Sequence, residues 1–430
     1  MPLGFSFLQN WKMNLRFNLI FRAFKYRNFR LYFAGQGISQ IGSWAQSTAL
    51  SWLVYRLTGS MVALGMIGFA NQFPTFLTGP FAGVLIDRLP RRKVLILTQI
   101  AAMIQAFLLG YLVLSDHVTT YWLYTLAVFQ GLIMAFDMPA RQTFVTELVN
   151  KQERGNAIAL NSMLFNLARI LGPSIAGFLI SWTGEGFCFI LNGVSFIAVI
   201  VTLQVIKRKP EEIKPDDIGF WIKLKEGFAF VNGFAPVKTV LILVAFNSFA
   251  CFSYSVLMSA YVKDVLKGEA HTLGLLMGTT GIGALIGGTV LGMRQGIKGM
   301  GMFIFYCALI FGFGLIGLSY STHVFTAMFF LLMTGFGMIG QMASCNTILQ
   351  TLSGDVMRGR VMSLYTTAYI GIMPFGSLMA GSIAHHINVA NMYRISGLLS
   401  ILAALIVLQK LPKLKKQTNT YLALPENSQE

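Results

Sequence analysis

The sequence has few charged residues. Only 11% of its 430 residues are Asp, Glu, Lys or Arg, whereas soluble domains carry roughly 25%. Hydrophobic residues make up 55% of the chain, and the mean hydropathy is +0.64. A water-soluble core could not bury so much apolar surface. We therefore expect lipid to be the solvent for most of the chain, and we expect no separate soluble domain.

Motifs of several other functional classes are also missing. The sequence has no glycine-rich loop of the G-x-x-x-x-G-K-S/T type, which argues against an ATP-driven pump. The four cysteines fall in separate hydrophobic stretches without metal-ligand spacing, so we expect buried thiols and predict neither a metal site nor a cofactor. The five histidines have no acids at ligand spacing. A membrane enzyme, one of three hypotheses for this chain, is therefore not favoured.

Long hydrophobic runs recur along the whole chain. A spanning helix needs roughly 20 apolar residues, and the runs predict an all-α membrane protein with twelve transmembrane helices. The predicted spans are 29–55, 61–86, 94–114, 121–142, 156–182, 186–206, 237–261, 271–293, 300–320, 323–349, 361–385 and 391–409. We divide the chain into a cytoplasmic segment (1–28), a six-helix bundle (29–206), a cytoplasmic linker (207–236), a second six-helix bundle (237–409) and a cytoplasmic tail (410–430).

The linker contains aromatic residues among its lysines. Trp221, Phe228 and Phe230 recur at roughly helical spacing, which predicts a short amphipathic helix on the cytoplasmic face. The alternative is a merely solvated connection between the bundles.

The two bundles resemble each other in sequence. A shift of 204 residues aligns Gly131 with Gly335 and Arg154-Gly155 with Arg358-Gly359. The same shift aligns two further glycine pairs. Matches at glycines and at a loop dipeptide carry more information than apolar identities do. The repeat predicts two pseudo-symmetric halves with a substrate site between them near the membrane midplane.

The net charge of +17 follows a topological pattern. If both termini are cytoplasmic, nearly all basic residues fall in cytoplasmic segments, which is the positive-inside bias. The basic residues in predicted outside segments are Arg56, Lys263, Lys267 and Arg394. A basic surface facing anionic lipid headgroups explains the charge without a nucleic-acid partner.

A short basic loop after the second span contains one acidic residue. The segment GVLIDRLPRRK begins at Gly83 and carries Asp87 among Arg88, Arg91 and Arg92. The carboxylate can pair with a neighbouring basic group or a helix N-terminus. Such a contact would act as a conformational latch. The alternative is an ordinary positive-inside loop.

This loop resembles the signature G-x-x-x-D-R-x-G-R-R/K of the major facilitator superfamily. The segments 29–60, 137–148, 156–177 and 358–365 resemble the branch that contains the enterobactin exporter and macrolide efflux pumps, which are drug:proton antiporters. The resemblance runs from about residue 22 to 410. It implies the major facilitator fold, transport by alternating access and energisation by the proton gradient.

The fifth span is similar to a glycine and proline pattern of antiporters in that superfamily. Gly172, Pro173 and Gly177 match parts of the pattern, and we predict a closely packed, kinked helix. The same span holds Arg169, on one face with Asn166. An arginine within a span is costly and usually faces a partner or a water-filled cavity. We expect Arg169 to be a cavity cation or a structural partner of Asp137.

Polar and aromatic residues on several spans predict a shared cavity. Interhelical hydrogen bonding without a substrate is the alternative. The candidate cavity residues of the first half are Gln36, Gln40, Trp44, Gln130, Asp137, Asn166 and Arg169. Those of the second half are Asn247, Tyr254, Gln341, Tyr365 and Tyr369.

These observations predict a monomeric secondary transporter in the bacterial inner membrane that exports a small amphipathic molecule, either a siderophore or a drug. A lysophospholipid transporter of the same superfamily is the alternative. Protons are the expected coupling ion, although no acidic residue lies near the middle of a span.

Overall fold

The computed structural model describes residues 21–86, 88–206, 220–294 and 296–422, and this part of the chain is helical with no strand. The long helices are α1 (Arg27–Thr58), α2 (Met61–Ile86), α3 (Arg91–Leu114), α4 (Thr120–Glu147), α5 (Arg154–Thr183), α6 (Glu185–Val205), α7 (Ala235–Ala250), α8 (Ala270–Gly292), α9 (Met300–Tyr320), α10 (Val324–Leu352), α11 (Gly354–Thr366 and Met373–Ile387) and α12 (Val389–Leu422). A separate linker helix spans Phe220–Gly233.

Ten helical stretches of the described chain are long and apolar enough to cross a membrane. The helices α1 and α2 are not among these ten. Buried polar side chains such as Gln36, Gln40 and Gln46 lower the hydropathy of α1. The prediction of an all-α membrane protein is confirmed, and the count of twelve spans stays a prediction.

Several helices extend past the predicted spans. The helix α12 continues to Leu422 through a lysine-rich stretch, although span twelve was predicted to end at residue 409. Lysine, leucine and glutamine are good helix formers. A helix therefore need not stop where the hydrophobic run stops.

Two helices of the second half are irregular. After Ala250, α7 continues as a 3-10 turn (Phe252–Leu257) and later a π-helical turn (Tyr261–Val265). The helix α11 is interrupted by a π-helical turn at Thr367–Gly371. Interruptions of this kind often mark functional segments of helices.

We describe the helices as two sets, α1–α6 and α7–α12. In the first set, α1 contacts α5 and α6, α2 contacts α4, and α3 contacts α4 and α6. In the second set, α10 contacts α8 and α9, and α9 contacts α12. The two sets meet chiefly where α5 crosses α8 and where α2 crosses α11. The linker helix contacts the second set through Glu226, whose carboxylate lies 2.7 Å from the Arg360 guanidinium.

Glycines allow close contact at both crossings between the sets. A Cβ atom on Gly177 of α5 would lie 2.7 Å from the Ala270 carbonyl oxygen of α8. A Cβ atom on Gly381 of α11 would lie 2.5 Å from the Met61 carbonyl oxygen of α2. Backbones approach this closely only where small residues line the contact. The two glycines are 204 residues apart, the offset of the sequence repeat.

The sets touch at one end of the molecule. At this end the Ser51 and Ser259 hydroxyl oxygens are 2.8 Å apart, and the Tyr55 hydroxyl donates a hydrogen bond to the Asp264 carboxylate. Both contacts join α1 to the irregular part of α7. We call this region, together with the two glycine crossings, the closed end.

Toward the opposite end, the α8 glycines Gly283 and Gly287 lie closest to α10 and not to α5. Close contacts of α5 with α8 run from Gly177 to Ile170, which lies next to Gly281. Nearer the start of α5, Ser162 and Met163 are exposed. On the second set, Thr366 is exposed as well. We call this side the open end.

Candidate substrate cavity

Arg169 lies on α5 between the two sets and is only partly buried. Its Nη2 atom is buried without a hydrogen-bond partner, and no ion pair to it is found in the described ranges. The guanidinium interacts electrostatically with Tyr254 and Tyr369 of the second set. The structure thus brings together three predicted cavity residues from both sets.

Asp137 lies elsewhere, at the contact between α3 and α4. Its side chain is buried, with an exposed fraction of 2%. It accepts hydrogen bonds from Thr98 Oγ1 (2.9 Å) and Gln99 Nε2 (2.8 Å), and it pairs with Arg141 one turn further along α4. This corrects two expectations: Asp137 does not face the space between the sets, and it is not the partner of Arg169. The sequence alone did not show which arginine pairs with this acid.

The α1 candidates are buried under neighbouring helices. Gln36 and Gln40 are both buried, and the amide of Gln36 has no hydrogen-bond partner within the described part of the chain. The Trp44 ring is partly buried and packs edge-on against Phe165 of α5, with ring centroids 5.7 Å apart. Phe165 precedes Arg169 by one turn of α5, so this contact between α1 and α5 lies one turn from the arginine.

The remaining polar candidates of the first set are partly buried. The Asn166 amide donates a hydrogen bond to the Ser162 carbonyl of its own helix. The Gln130 Oε1 atom is buried and has no partner among the residues described. Gln130 can therefore accept a hydrogen bond from a ligand or water after a small rearrangement.

The second-set candidates form an aromatic wall. The Tyr365 and Tyr369 rings stack with centroids 6.4 Å apart, and the Tyr369 ring also meets Phe252 edge-on. The Asn247 amide donates to the Leu243 carbonyl of α7. Gln341 is buried, and its amide finds no partner in the described ranges.

A cluster of phenylalanines at the α2–α11 crossing was not anticipated from the sequence. Phe69 and Phe73 stack with centroids 4.7 Å apart, and Phe375 of α11 meets Phe69, Phe73 and Phe76 edge-on at 5.7 to 6.0 Å. The sequence spacing of the phenylalanines could have indicated the cluster, because residues 69, 73 and 76 share one face of a helix. In so apolar a chain, phenylalanines at this spacing do not stand out from lipid-facing residues.

The structure describes only part of the predicted latch. Asp87 lies outside the described residues, and Arg88 is exposed. Arg91 pairs with Glu147 at the end of α4, and Arg92 Nη2 donates to the Gln204 carbonyl of α6 at 2.7 Å. These contacts all lie within the first set. Gly83 belongs to α2, directly before the loop.

The glycine and proline pattern of α5 lies at two helix contacts. A Cβ atom on Gly172 would be 2.4 Å from the Trp44 Cβ of α1. The Pro173 carbonyl oxygen lies 2.6 Å from the Cβ position of Gly274 on α8, next to Gly177. The three residues therefore hold α5 against both sets.

No metal site was predicted, and among the described residues no group of three or more His, Cys, Asp or Glu side chains lies close enough to hold a metal ion. The four cysteines are free and buried.

The sequence profile of the family described as transmembrane secretion effectors matches residues 20–429. The chain belongs to this family. The resemblance to the major facilitator superfamily that the loop and helix motifs indicated is confirmed. This family consists of transporters rather than enzymes, and its members are multi-pass membrane proteins.

Curated relatives of this transporter share about a quarter of its residues. The Staphyloferrin A transporter of Staphylococcus aureus is 23% identical over 88% of this chain and 94% of that protein. Macrolide efflux protein A of Streptococcus pyogenes is 24% identical over 89% and 96%. The enterobactin exporter EntS of Salmonella choleraesuis is 23% identical over 96% and 98%.

A solved structure with the same fold is that of a bacterial homologue of the iron transporter ferroportin, in an inward-facing state. It aligns with a TM-score of 0.70 at 16% identity and covers 89% of this chain and 98% of that chain. At this identity the similarity shows the fold alone.

Proposed function

We propose that this membrane transporter exports a small amphipathic molecule, a siderophore or a drug, by alternating access across the bacterial inner membrane. One observation carries the proposal: two sets of helices touch at the closed end, and Arg169 of the first set interacts with Tyr254 and Tyr369 of the second. A site between two bodies that can rock against each other is what alternating access requires. The names of the relatives support a siderophore or drug as cargo, and they lend no support to the lysophospholipid alternative.

The two sets would be the moving halves. We assign residues 29–206 to one half, 237–409 to the other and 207–236 to the connection, because the sequence repeat and the glycines Gly177 and Gly381 obey the same 204-residue offset. The interrupted stretches of α7 and α11 would absorb the bending as the halves rock.

The orientation follows from charge. The positive-inside bias supports a cytoplasmic location for both termini, the linker helix and the open end. With this orientation the structure would represent an inward-open state, in which substrate enters from the cytoplasm.

The energy source is proposed to be the proton gradient. In this scheme the loop with Gly83, Asp87, Arg88, Arg91 and Arg92 regulates the change of state. The observed pairing of Arg91 with Glu147 supports a role for the loop in holding α3 to α4. We further propose that the protein acts as a monomer, since the two sets of one chain already enclose the site.

Everted membrane vesicles test the export function. Vesicles containing the protein should accumulate a macrolide, staphyloferrin A or enterobactin when a proton gradient is imposed, and a proton ionophore should stop the accumulation. Vesicles prepared without the protein serve as the control. If no compound accumulates beyond this control with or without the gradient, export of siderophores and drugs is contradicted.

A further inference from the structure

Arg169 is a charged side chain for which the described structure provides no counter-ion. The nearest intramembrane acid in sequence, Asp137, is already bound to Arg141, Thr98 and Gln99. The other described ion pairs lie near helix ends, for example Arg56 with Glu185 and Arg91 with Glu147. Moving a charge out of water without a partner is expensive. An unpaired guanidinium that persists between the sets is therefore expected to face an anion at some stage of the cycle.

Arg169 interacts electrostatically with two tyrosines of the second set, Tyr254 and Tyr369. Within the described chain, neither tyrosine hydroxyl donates a hydrogen bond to a protein group. A phenolic hydroxyl can donate to an oxyanion, as a guanidinium does. Arg169 comes from the first helix set, and both tyrosines come from the second.

The shape of the guanidinium indicates which class of anion Arg169 can bind. Its planar fork of N–H groups matches the two oxygens of a carboxylate in a bidentate arrangement, which a lysine cannot reproduce. Each set carries a pair of aromatic rings in contact, Trp44 with Phe165 on the first set and Tyr365 stacked on Tyr369 on the second. Aromatic faces bind flat apolar groups with favourable ring geometry.

We propose that Arg169, Tyr254 and Tyr369 form a subsite for the carboxylate of an aromatic or similarly apolar organic acid. The guanidinium binds the two carboxylate oxygens, and the tyrosine hydroxyls donate to the same oxygens. The apolar part of the ligand packs against Trp44 and the stacked tyrosines. This inference assigns a substrate class to the proposed exporter. It rests on the proposed function only where the bound acid is regarded as a transported substrate.

Equilibrium binding to the purified full-length protein tests the subsite. The probe is tritiated 2-naphthoate, and the comparison is displacement by its neutral isostere 2-naphthamide. A charge-assisted bidentate contact should favour naphthoate by about tenfold to a hundredfold. The Arg169→Gln protein should bind both compounds equally, while Tyr254→Phe and Tyr369→Phe should each weaken naphthoate binding by a few fold.

The matched control is Arg394→Gln. Arg394 also lies beside a tyrosine, with its guanidinium carbon 4.2 Å from the centre of the Tyr320 ring, but it bonds to Ser319 and Asn391 within the second set. Its substitution should leave the naphthoate preference unchanged. Undetectable naphthoate binding, equal binding of both probes by the unaltered protein, or a preference that survives in Arg169→Gln would each overturn the proposal. Because binding is measured without transport, failure here is distinct from failure of the vesicle experiment.

Discussion

The interiors of the two helix sets differ in charge although their sequences repeat. The first set carries Asp137, Arg141 and Arg169 within its helices. The positions 204 residues later are Gln341, Cys345 and Met373, none of which is charged at neutral pH. Gln341 and Cys345 are buried, as Asp137 is.

At these three aligned positions, only the first copy of the repeat carries charge. Two of these charges, on Asp137 and Arg141, neutralise each other in an ion pair at the contact between α3 and α4. The third charge, on Arg169, faces the second set, which contributes neutral tyrosines. The molecule thus separates a structural ion pair from a cation that is available to a ligand.

The largest expected effect tests the structural pair. Asp137→Ala should lower the free energy of unfolding by about 3–5 kcal/mol, because Arg141 would remain buried without its partner. Thermal unfolding of the purified protein in detergent measures this loss.

A double variant provides the control for that experiment. Asp137→Gln with Arg141→Cys copies the residues of the second set and leaves no unpaired charge, so it should be more stable than Asp137→Ala. If the double variant is no more stable, the difference between the sets does not depend on the ion pair.

The second prediction concerns Arg169. Arg169→Ala should reduce transport by about tenfold to a hundredfold through the loss of charge-assisted hydrogen bonds. It should unfold near the temperature of the unaltered protein, since no protein partner is left unpaired. Arg169→Lys keeps the charge but loses the fork, so its transport should also be impaired. A stable Arg169→Ala protein with full transport would show that Arg169, like Arg141, has no role in binding the substrate.

The third prediction tests the contact between the sets. Gly177→Val places a side chain where the Ala270 carbonyl lies 2.7 Å away, and overpacking of this kind costs about 1–3 kcal/mol. The closed end should therefore separate in a larger fraction of molecules. Spin labels at Thr183 and Glu269, both exposed, would report a longer distance.

Gly79 offers a matched position for this test. A Cβ atom on Gly79 would meet no atom within 4 Å, so Gly79→Val should leave the distance distribution unchanged. An unchanged distribution in Gly177→Val as well would mean that the closed end tolerates the added volume and that its glycines do not control closure.

The smallest effect is expected at the polar contact of the closed end. Tyr55→Phe removes the hydroxyl that donates to Asp264 across the two sets, a loss of about 1 kcal/mol. The same spin labels should report a shift of about fivefold in the closed-to-open ratio. Tyr121→Phe, at an exposed tyrosine of α4, should cause none. Equal distributions in the two variants would exclude Tyr55 as a closing contact.

Membrane residence, the helical class and family membership could be predicted from the sequence because each depends on composition or on a local motif. The linker helix was predicted for the same reason, since the spacing of its aromatic residues is local. The end of α12 was misjudged because lysine-rich sequence continues a helix beyond the hydrophobic run. The phenylalanine cluster was missed because its members on α2 meet Phe375 from another helix only after packing.

The sequence by itself determined that this protein is a helical membrane protein, because the low charge and the long apolar runs leave no other way to bury the chain. Its role as a transporter was implied by the resemblance of its loop and helix motifs to a transporter superfamily. The sequence also identified Arg169 as an exceptional residue, because a charge inside a span is costly wherever it faces. Only the tertiary structure decided that Asp137 forms an ion pair with Arg141 and that Arg169 interacts with the tyrosines of α7 and α11. Pairing depends on which helices become neighbours. Helix packing, and not the order of residues along one helix, brings side chains within hydrogen-bonding distance.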